Sequence, residues 1–226
     1  MLTKETLCSL ETETQVLSNN NQPEQTRVTG KPDRLIVGIS GASGAILGIR
    51  ALQLLQPTNI ETHLVISKAA SLTISSETDF AVDDIKSLAD VNYSAADISA
   101  AISSGSYKTR GMIIAPCSIK TMGEISSGIT STLMSRAADV VLKERRRLVL
   151  MLREAPLHAG HLKHALAVTQ MGAVISPPVP AFYTNPKSID EMVTQMIARS
   201  LDLFNIEGID VKRWGEDIDL TGKIDL

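Results

Sequence analysis

One segment constrains the fold of this chain more than any other. Arg34-Leu-Ile-Val-Gly-Ile39 is a short β-rich run that gives way at once to the turn Ser40-Gly-Ala-Ser-Gly-Ala45, and the turn opens into a helical pattern from Ile46 to Leu55. A strand, a tight turn and a helix in that order form one half of a parallel crossover unit. The unit recurs. His63-Leu-Val-Ile66 predicts a second strand, followed by a helix from Lys68 to Ser76, and Gly111-Met-Ile-Ile-Ala115 predicts a third, stopped by Pro116 and followed by another helix. Arg147 to Leu152 and Gly172 to Ser176 predict two more buried strands, separated by a helix from about His158 to Gln170, and Ser188 to Phe204 predicts a last amphipathic helix. Five strands alternating with helices specify an α/β fold with a doubly wound parallel sheet.

A chain of 226 residues supplies one domain with a substantial core. Hydrophobic residues make up 43% and aromatic ones only 3%, so the core is expected to be aliphatic, as in a sheet covered by helices on both faces. A net charge of −3 gives no general attraction to polyphosphate, and one Trp, three Tyr and three Phe leave little for base stacking, so no nucleic acid partner is expected. No apolar run approaches the roughly 18 residues needed to cross a bilayer, so no membrane partner is expected either. Cys8 sits in a polar segment and Cys117 in an apolar one, which argues against a disulfide framework and for a reducing, cytoplasmic setting. Residues 1–32 are rich in Glu and lack an apolar core of the signal-peptide kind, and they read as a disordered extension. The domain is expected over 33–216, with a tail at 217–226.

In doubly wound sheets, ligands sit beyond the carboxyl ends of the strands, where the strand order reverses. The first such end is Ser40 to Ala45, whose glycines let a ligand approach the backbone at a helix N-terminus. It is neither a G-x-G-x-x-G fingerprint nor a P-loop, and it reads equally well as an anion site or as a tight turn packed with small residues. After the second strand stands Ser67-Lys68, where a nicotinamide-dinucleotide enzyme is expected to carry Asp or Glu. After the third stands Pro116-Cys-Ser-Ile-Lys-Thr121, again hydroxyls and amides at a helix start.

Cys117 invites a nucleophile reading, but no His lies between His63 and His158, and a structural thiol is expected. His158, His161 and His164 recur every three residues without the partners of a metal site, so no metal is expected there. The run Lys143-Glu-Arg-Arg-Arg147 reads as a solvated helix end. Arg153-Glu154 follows a strand at its carboxyl end, where a guanidinium can grip phosphate and a carboxylate can orient it or exchange protons.

Taken in order, Gly38-Ile-Ser-Gly-Ala-Ser-Gly-Ala45, Ser67-Lys-Ala-Ala70, Ser76-Glu-Thr-Asp79, Pro116-Cys-Ser118, Arg136-Ala-Ala-Asp139, Lys143-Glu-Arg-Arg146, Arg153-Glu-Ala-Pro-Leu157, Pro177-Pro-Val-Pro-Ala-Phe-Tyr183 and Arg213-Trp-Gly-Glu216 closely resemble the UbiX-type flavin prenyltransferases. The resemblance runs from about Arg34 to Glu216. It implies a single-domain flavodoxin-like or Rossmann-like three-layer sandwich that binds reduced FMN and joins a dimethylallyl group, taken from dimethylallyl monophosphate, to its N5 and C6. It also implies a metal-independent reaction, a homo-oligomer, typically a dodecamer, with sites at subunit interfaces, and delivery of prenylated FMN to a UbiD-type decarboxylase. By position, Gly41, Ala42, Ser43, Ser67, Ser118, Ile119, Lys120, Thr121 and Arg153 match FMN-binding residues. Lys143, Tyr183 and Arg199 match the grip on the prenyl phosphate, and Ser43, Glu77, Lys143 and Glu154 match residues assisting the chemistry. Each also has a plainer reading: Tyr183 packing in a Pro-rich loop, Arg199 solvated on the last helix, Glu77 capping its helix. Two other functions fit the same fold, a flavin-dependent decarboxylase of the cysteine-decarboxylating type, which needs a His near the flavin, and a non-catalytic flavin carrier.

Overall fold

The computed structural model describes residues 32–217. Strands β1 (Asp33–Ile39), β2 (Ile60–Ile66), β3 (Val91–Ser94), β4 (Gly111–Cys117), β5 (Arg147–Leu152) and β6 (Val174–Ile175) form one sheet in the order β3-β2-β1-β4-β5-β6. Every pairing is parallel. The order runs outward from β1 in one direction and from β4 in the other, so the topological switch lies between those two strands.

Period-two alternation sorts the sheet into two cores. Leu35, Val37 and Ile39 of β1 face one cluster, and Ile36 faces the other. The first core is closed by α1 (Ile46–Leu55), α2 (Lys68–Glu77), α3 (Val82–Ser87) and α7 (Ile189–Asp202). The second is closed by α4 (Ile119–Ser126), α5 (Leu133–Lys143) and α6 (Ala159–Gln170). Three layers follow, and the buried side chains are almost all Ala, Ile, Leu, Met and Val, as the aromatic-poor composition requires. The expected extension over residues 1–32 and tail over 217–226, Cys8 included, lie almost wholly outside the described residues.

Two details differ from the reading of the sequence. The sheet has a sixth strand, β3, a four-residue edge strand Val-Asn-Tyr-Ser with alternate residues exposed. It is too short and too polar to stand out from the loops around it. Pro116 does not stop β4, which continues to Cys117 through an irregularity: Ile114 is paired with Leu150 and Cys117 with Leu152. Three steps on one strand against two on the other form a bulge, a position in a sheet where a residue without an amide proton is tolerated.

Candidate active site

The carboxyl ends of β1 and β4 are bolted together by one hydroxyl. Ser40, 1% exposed, donates from Oγ to the Pro116 carbonyl at 2.7 Å and accepts at the same oxygen from the Ser118 amide at 2.8 Å. The Arg153 amide donates to the Cys117 carbonyl at 3.0 Å, which brings the end of β5 alongside. Three of the predicted loops therefore meet at the switch point.

Ser67 and Ser118 cap the helices that follow them. Ser67 Oγ accepts from the Ala70 amide at 3.1 Å, and Ser118 Oγ accepts from the Thr121 amide at 3.2 Å. A hydroxyl that accepts a capping bond still has its own proton to donate, so the capping role leaves both serines available to a ligand. They line one cleft of about 670 Å³ with Gly41, Lys120 and Thr121. Its walls are apolar, with Leu72, 73% exposed, on one side and Met134 on the other. Leu72, Met134 and Glu124 carry no signal in the sequence, since each is one residue of an ordinary helix. Glu124 holds Lys120 Nζ at 2.6 Å and Ser131 Oγ at 2.9 Å, and so fixes an ammonium at the rim. Donors beneath and apolar walls beside are what a flat heteroaromatic ring with a phosphate-bearing chain requires, and the cleft fits a flavin nucleotide.

Gly41 makes this cleft possible. A Cβ there would lie 2.3 Å from the Ala69 Cβ and within 3.3 Å of the Ala69 backbone, and no rotamer change relieves a clash with a helix's first turn. Gly41→Val is expected to cost about 1–3 kcal/mol of stability and to weaken FMN binding about tenfold or more by pushing the Ser67 cap out of line. Thermal melting with and without FMN, alongside a flavin fluorescence titration, checks this; unchanged affinity in the folded variant counts against the placement.

Glu77 departs from the plainer of its two sequence readings. It does not cap its own helix. Helix α1 has no capping side chain, and the Glu77 carboxylate supplies one from the end of α2, accepting from the Gly44 amide at 2.7 Å and the Ala45 amide at 3.2 Å. The anion site formed by the Ser40 to Ala45 turn is thus filled by a carboxylate of the chain itself. Burial pushes the Glu77 pKa up, but the Gly44 amide, the Ser43 side chain, the Ala45 amide and the Arg153 charge outweigh it and hold the group below the ordinary carboxylate range. Glu77 is an anion that orders Ser43 and faces Arg153.

The other predicted residues fall into three places. Ala42, Ser43 and Ile119 adjoin the cleft without lining it, and Glu154, exposed, accepts from the neighbouring Ala155 amide at 3.0 Å. Tyr183 and Arg199 share a separate small pocket with Ser176 beyond β6, where Tyr183 packs edge-on against Trp214 at 5.2 Å and Arg199 pairs with Asp202 at 3.1 Å. Lys143 joins neither. It ends α5 next to Glu144, four residues before β5 begins, and so lies at the amino edge of the sheet. Arg153 is at the carboxyl edge, about 20 Å away along a six-residue strand.

Cys117 is fully buried, and burial pushes its thiol pKa up to about 12, which suits a core side chain and not a nucleophile. His158 caps α6 by accepting from the Gly160 amide at 3.0 Å, and His164 meets Ser126 at 2.6 Å. Among the described residues no three His, Cys, Asp or Glu side chains gather as metal ligands.

Comparison with known proteins matches this geometry. The flavoprotein family profile covers residues 23–200. The chain is 59% identical over 174 residues to the flavin prenyltransferase UbiX of Escherichia coli K12, spanning 76% of this chain and 92% of that protein. The crystal structure of AnUbiX (PadA1) in complex with FMN and dimethylallyl pyrophosphate superposes with a TM-score of 0.80 at 49% identity, covering 81% of this chain and 98% of that one. A dodecameric FMN-dependent UbiX-like decarboxylase from Escherichia coli O157:H7 superposes with a TM-score of 0.78 at 49% identity, covering 80% and 98%.

Proposed function

The chain belongs to the flavoprotein family and, within it, to the UbiX flavin prenyltransferases, and from that premise we propose how its residues divide the work. It is a flavin prenyltransferase that moves a dimethylallyl group to N5 and C6 of reduced FMN. The observation that carries the assignment to this cleft is the junction of the β1 and β4 turns through Ser40, which sets hydroxyl and amide donors beneath an apolar slot.

Gly41, Ala42, Ser43, Ser67, the Ser118–Thr121 turn and Arg153 hold the flavin nucleotide. Bound reduced flavin supplies two nucleophilic positions, and the departing phosphate of the donor leaves anionic charge. Lys143, Arg153 and Arg199 take up that charge, with Tyr183 donating its hydroxyl, as preorganised cations do at a leaving phosphate. Glu77, already ionised and ordered by the α1 amides, accepts the proton released from the ring, and Ser43 and Glu154 assist its passage. Because Lys143 lies at the opposite edge of the sheet from Arg153, one complete site draws Lys143 from a second copy in a homo-oligomer, as the dodecameric relative makes reasonable. The product passes to a UbiD-type decarboxylase. The setting is cytoplasmic, in keeping with a free buried thiol at Cys117 and with described residues that include no helix long and apolar enough to cross a membrane.

Anaerobic incubation with reduced FMN and dimethylallyl monophosphate is expected to yield a flavin heavier by one prenyl unit in mass spectrometry, with the diphosphate run in parallel to identify the preferred donor. An unchanged flavin mass with both donors, while FMN binding persists, would sink catalysis and favour a carrier. The cysteine-decarboxylating alternative needs a histidine near the flavin, and none is among the residues that one protomer contributes to the cleft.

A further inference from the structure

The basic run at the end of α5 is largely exposed, and it also lines a cleft. Arg145, Arg146 and Arg147 line one open cleft of about 510 Å³ together with Arg110, at the amino edge of the sheet, where the chain enters β4, β5 and β6. This is the edge opposite the flavin cleft, and the two clefts share no residue.

The four guanidiniums are not equivalent. Arg110 is neutralised and anchored: it donates from Nε to Asp33 at 2.8 Å and from Nη1 to the Phe204 and Asn205 carbonyls at 2.7 and 3.1 Å. Arg146 is anchored by carbonyls, donating to Tyr107 at 2.8 Å and Gly105 at 2.7 Å, with the Lys143-paired Glu144 carboxylate close enough to act on its charge. Arg145 and Arg147 are exposed, and among the described residues neither has a carboxylate within ion-pair distance. Most other described arginines do have one. Glu207, close enough to act on Arg110, is the counter-charge on the α7 side. The cleft thus concentrates positive charge in a chain whose net charge is −3.

The backbone supports a built arrangement. Arg145 has φ +56°, a left-handed conformation that side chains other than glycine and asparagine rarely adopt and that persists only when its surroundings impose it. It reverses the chain between α5 and β5 within three residues and so sends consecutive arginines into one concavity. A concave set of fixed and free guanidiniums suits phosphate oxygens, which accept forked N–H pairs, more than it suits a single carboxylate.

We infer that this cleft is a second anion site, which takes a small ligand carrying two or more phosphate charges, separate within one protomer from the flavin cleft and from the Tyr183 and Arg199 pocket. The inference does not rest on the prenyl-transfer reading. The same phosphate chemistry is offered by a free metabolite and by a lipid headgroup, and the concave shape favours the free form.

The test uses full-length protein saturated with oxidised FMN, titrated calorimetrically with inorganic pyrophosphate at low ionic strength. Two saturable events per chain are expected: one is lost in Arg199→Ala, and the other persists there and is weakened about tenfold or more in the Arg145→Ala/Arg147→Ala double variant, with the flavin spectrum unchanged. Two undiminished events in the double variant, or no saturable event left in Arg199→Ala, overturn the site. Co-sedimentation with phosphatidic acid vesicles that pyrophosphate does not displace would overturn the assignment to a free ligand. Arg145→Lys/Arg147→Lys serves as the second variant: partial retention supports a phosphate grip, whereas full loss with an altered melting profile points to a structural role and counts against it.

Discussion

Glu77→Gln should slow prenyl transfer by about 10²-fold or more while FMN affinity changes little. The carboxylate makes no contact that glutamine cannot partly copy: one amide oxygen can still accept from the Gly44 and Ala45 amides that cap α1. What glutamine lacks is the charge and the capacity to take a proton. A pH signature separates these roles. Because the folded pKa lies below the ordinary value of 4.5, the charged group stabilises the native state above that value, and the contribution is lost as pH falls through the lowered folded pKa. Glu77 is exposed, so the gap between parent and variant near neutrality is expected to be only about 0.5–1 kcal/mol, and it should close in acid. Single-turnover prenyl transfer, flavin titration and melting curves across that range read the three effects. Rate and affinity falling by the same factor would leave Glu77 as a cap and nothing more.

That dual position was half legible in the sequence. The turn from Ser40 to Ala45 announced a donor-rich helix start, because glycine and serine between an apolar strand and a helix have few other uses. What fills the donors was not legible. Glu77 is 33 residues from Gly44, and only the parallel pairing of β1 with β2, which sets α2 beside α1's first turn, brings them together. Ser40 shows the same limit: an unremarked residue of the motif, it ties β1 to β4 across 76 positions. The strands were readable where both faces are buried and apolar, as in β4 and β5, and unreadable in β3, where Asn92 and Ser94 face solvent at the sheet edge. The edge helps shape the cleft, since Ala95 and Ala96 just beyond β3 line it.

The basic run shows what periodicity leaves out. Periodicity identifies Lys143 as the last helical cation and the arginines after it as solvated, which is the common outcome at a helix C-terminus. The run is largely exposed, and a single left-handed residue, Arg145, also turns it into an open cleft with Arg110; no local propensity marks an arginine for such a backbone. Arg153 lies just past the carboxyl end of β5, as its place after a buried strand requires, since which end of a parallel strand a residue follows is fixed by chain order.

Lys143 is the residue on which the family reading and the geometry of one protomer disagree, and the disagreement carries the other large prediction. Lys143→Ala and Arg199→Ala are each expected to lower prenyl transfer by about 10²–10³-fold, since each removes a cation from the leaving phosphate. Within one chain the two residues belong to different surroundings, Lys143 against Glu144 at the amino edge of the sheet and Arg199 beside Tyr183 beyond β6. If one site takes Arg199 from one copy and Lys143 from another, the two inactive variants repair each other when co-expressed and co-assembled. A random equal mixture leaves roughly one quarter of the sites with both cations, so activity should recover to about that fraction of the parent, far above either variant alone. A site contained in one protomer allows no recovery at any mixing ratio. Mixing the same variants after separate assembly should also give none until the oligomers exchange subunits, and that delay would distinguish a shared site from a soluble contaminant.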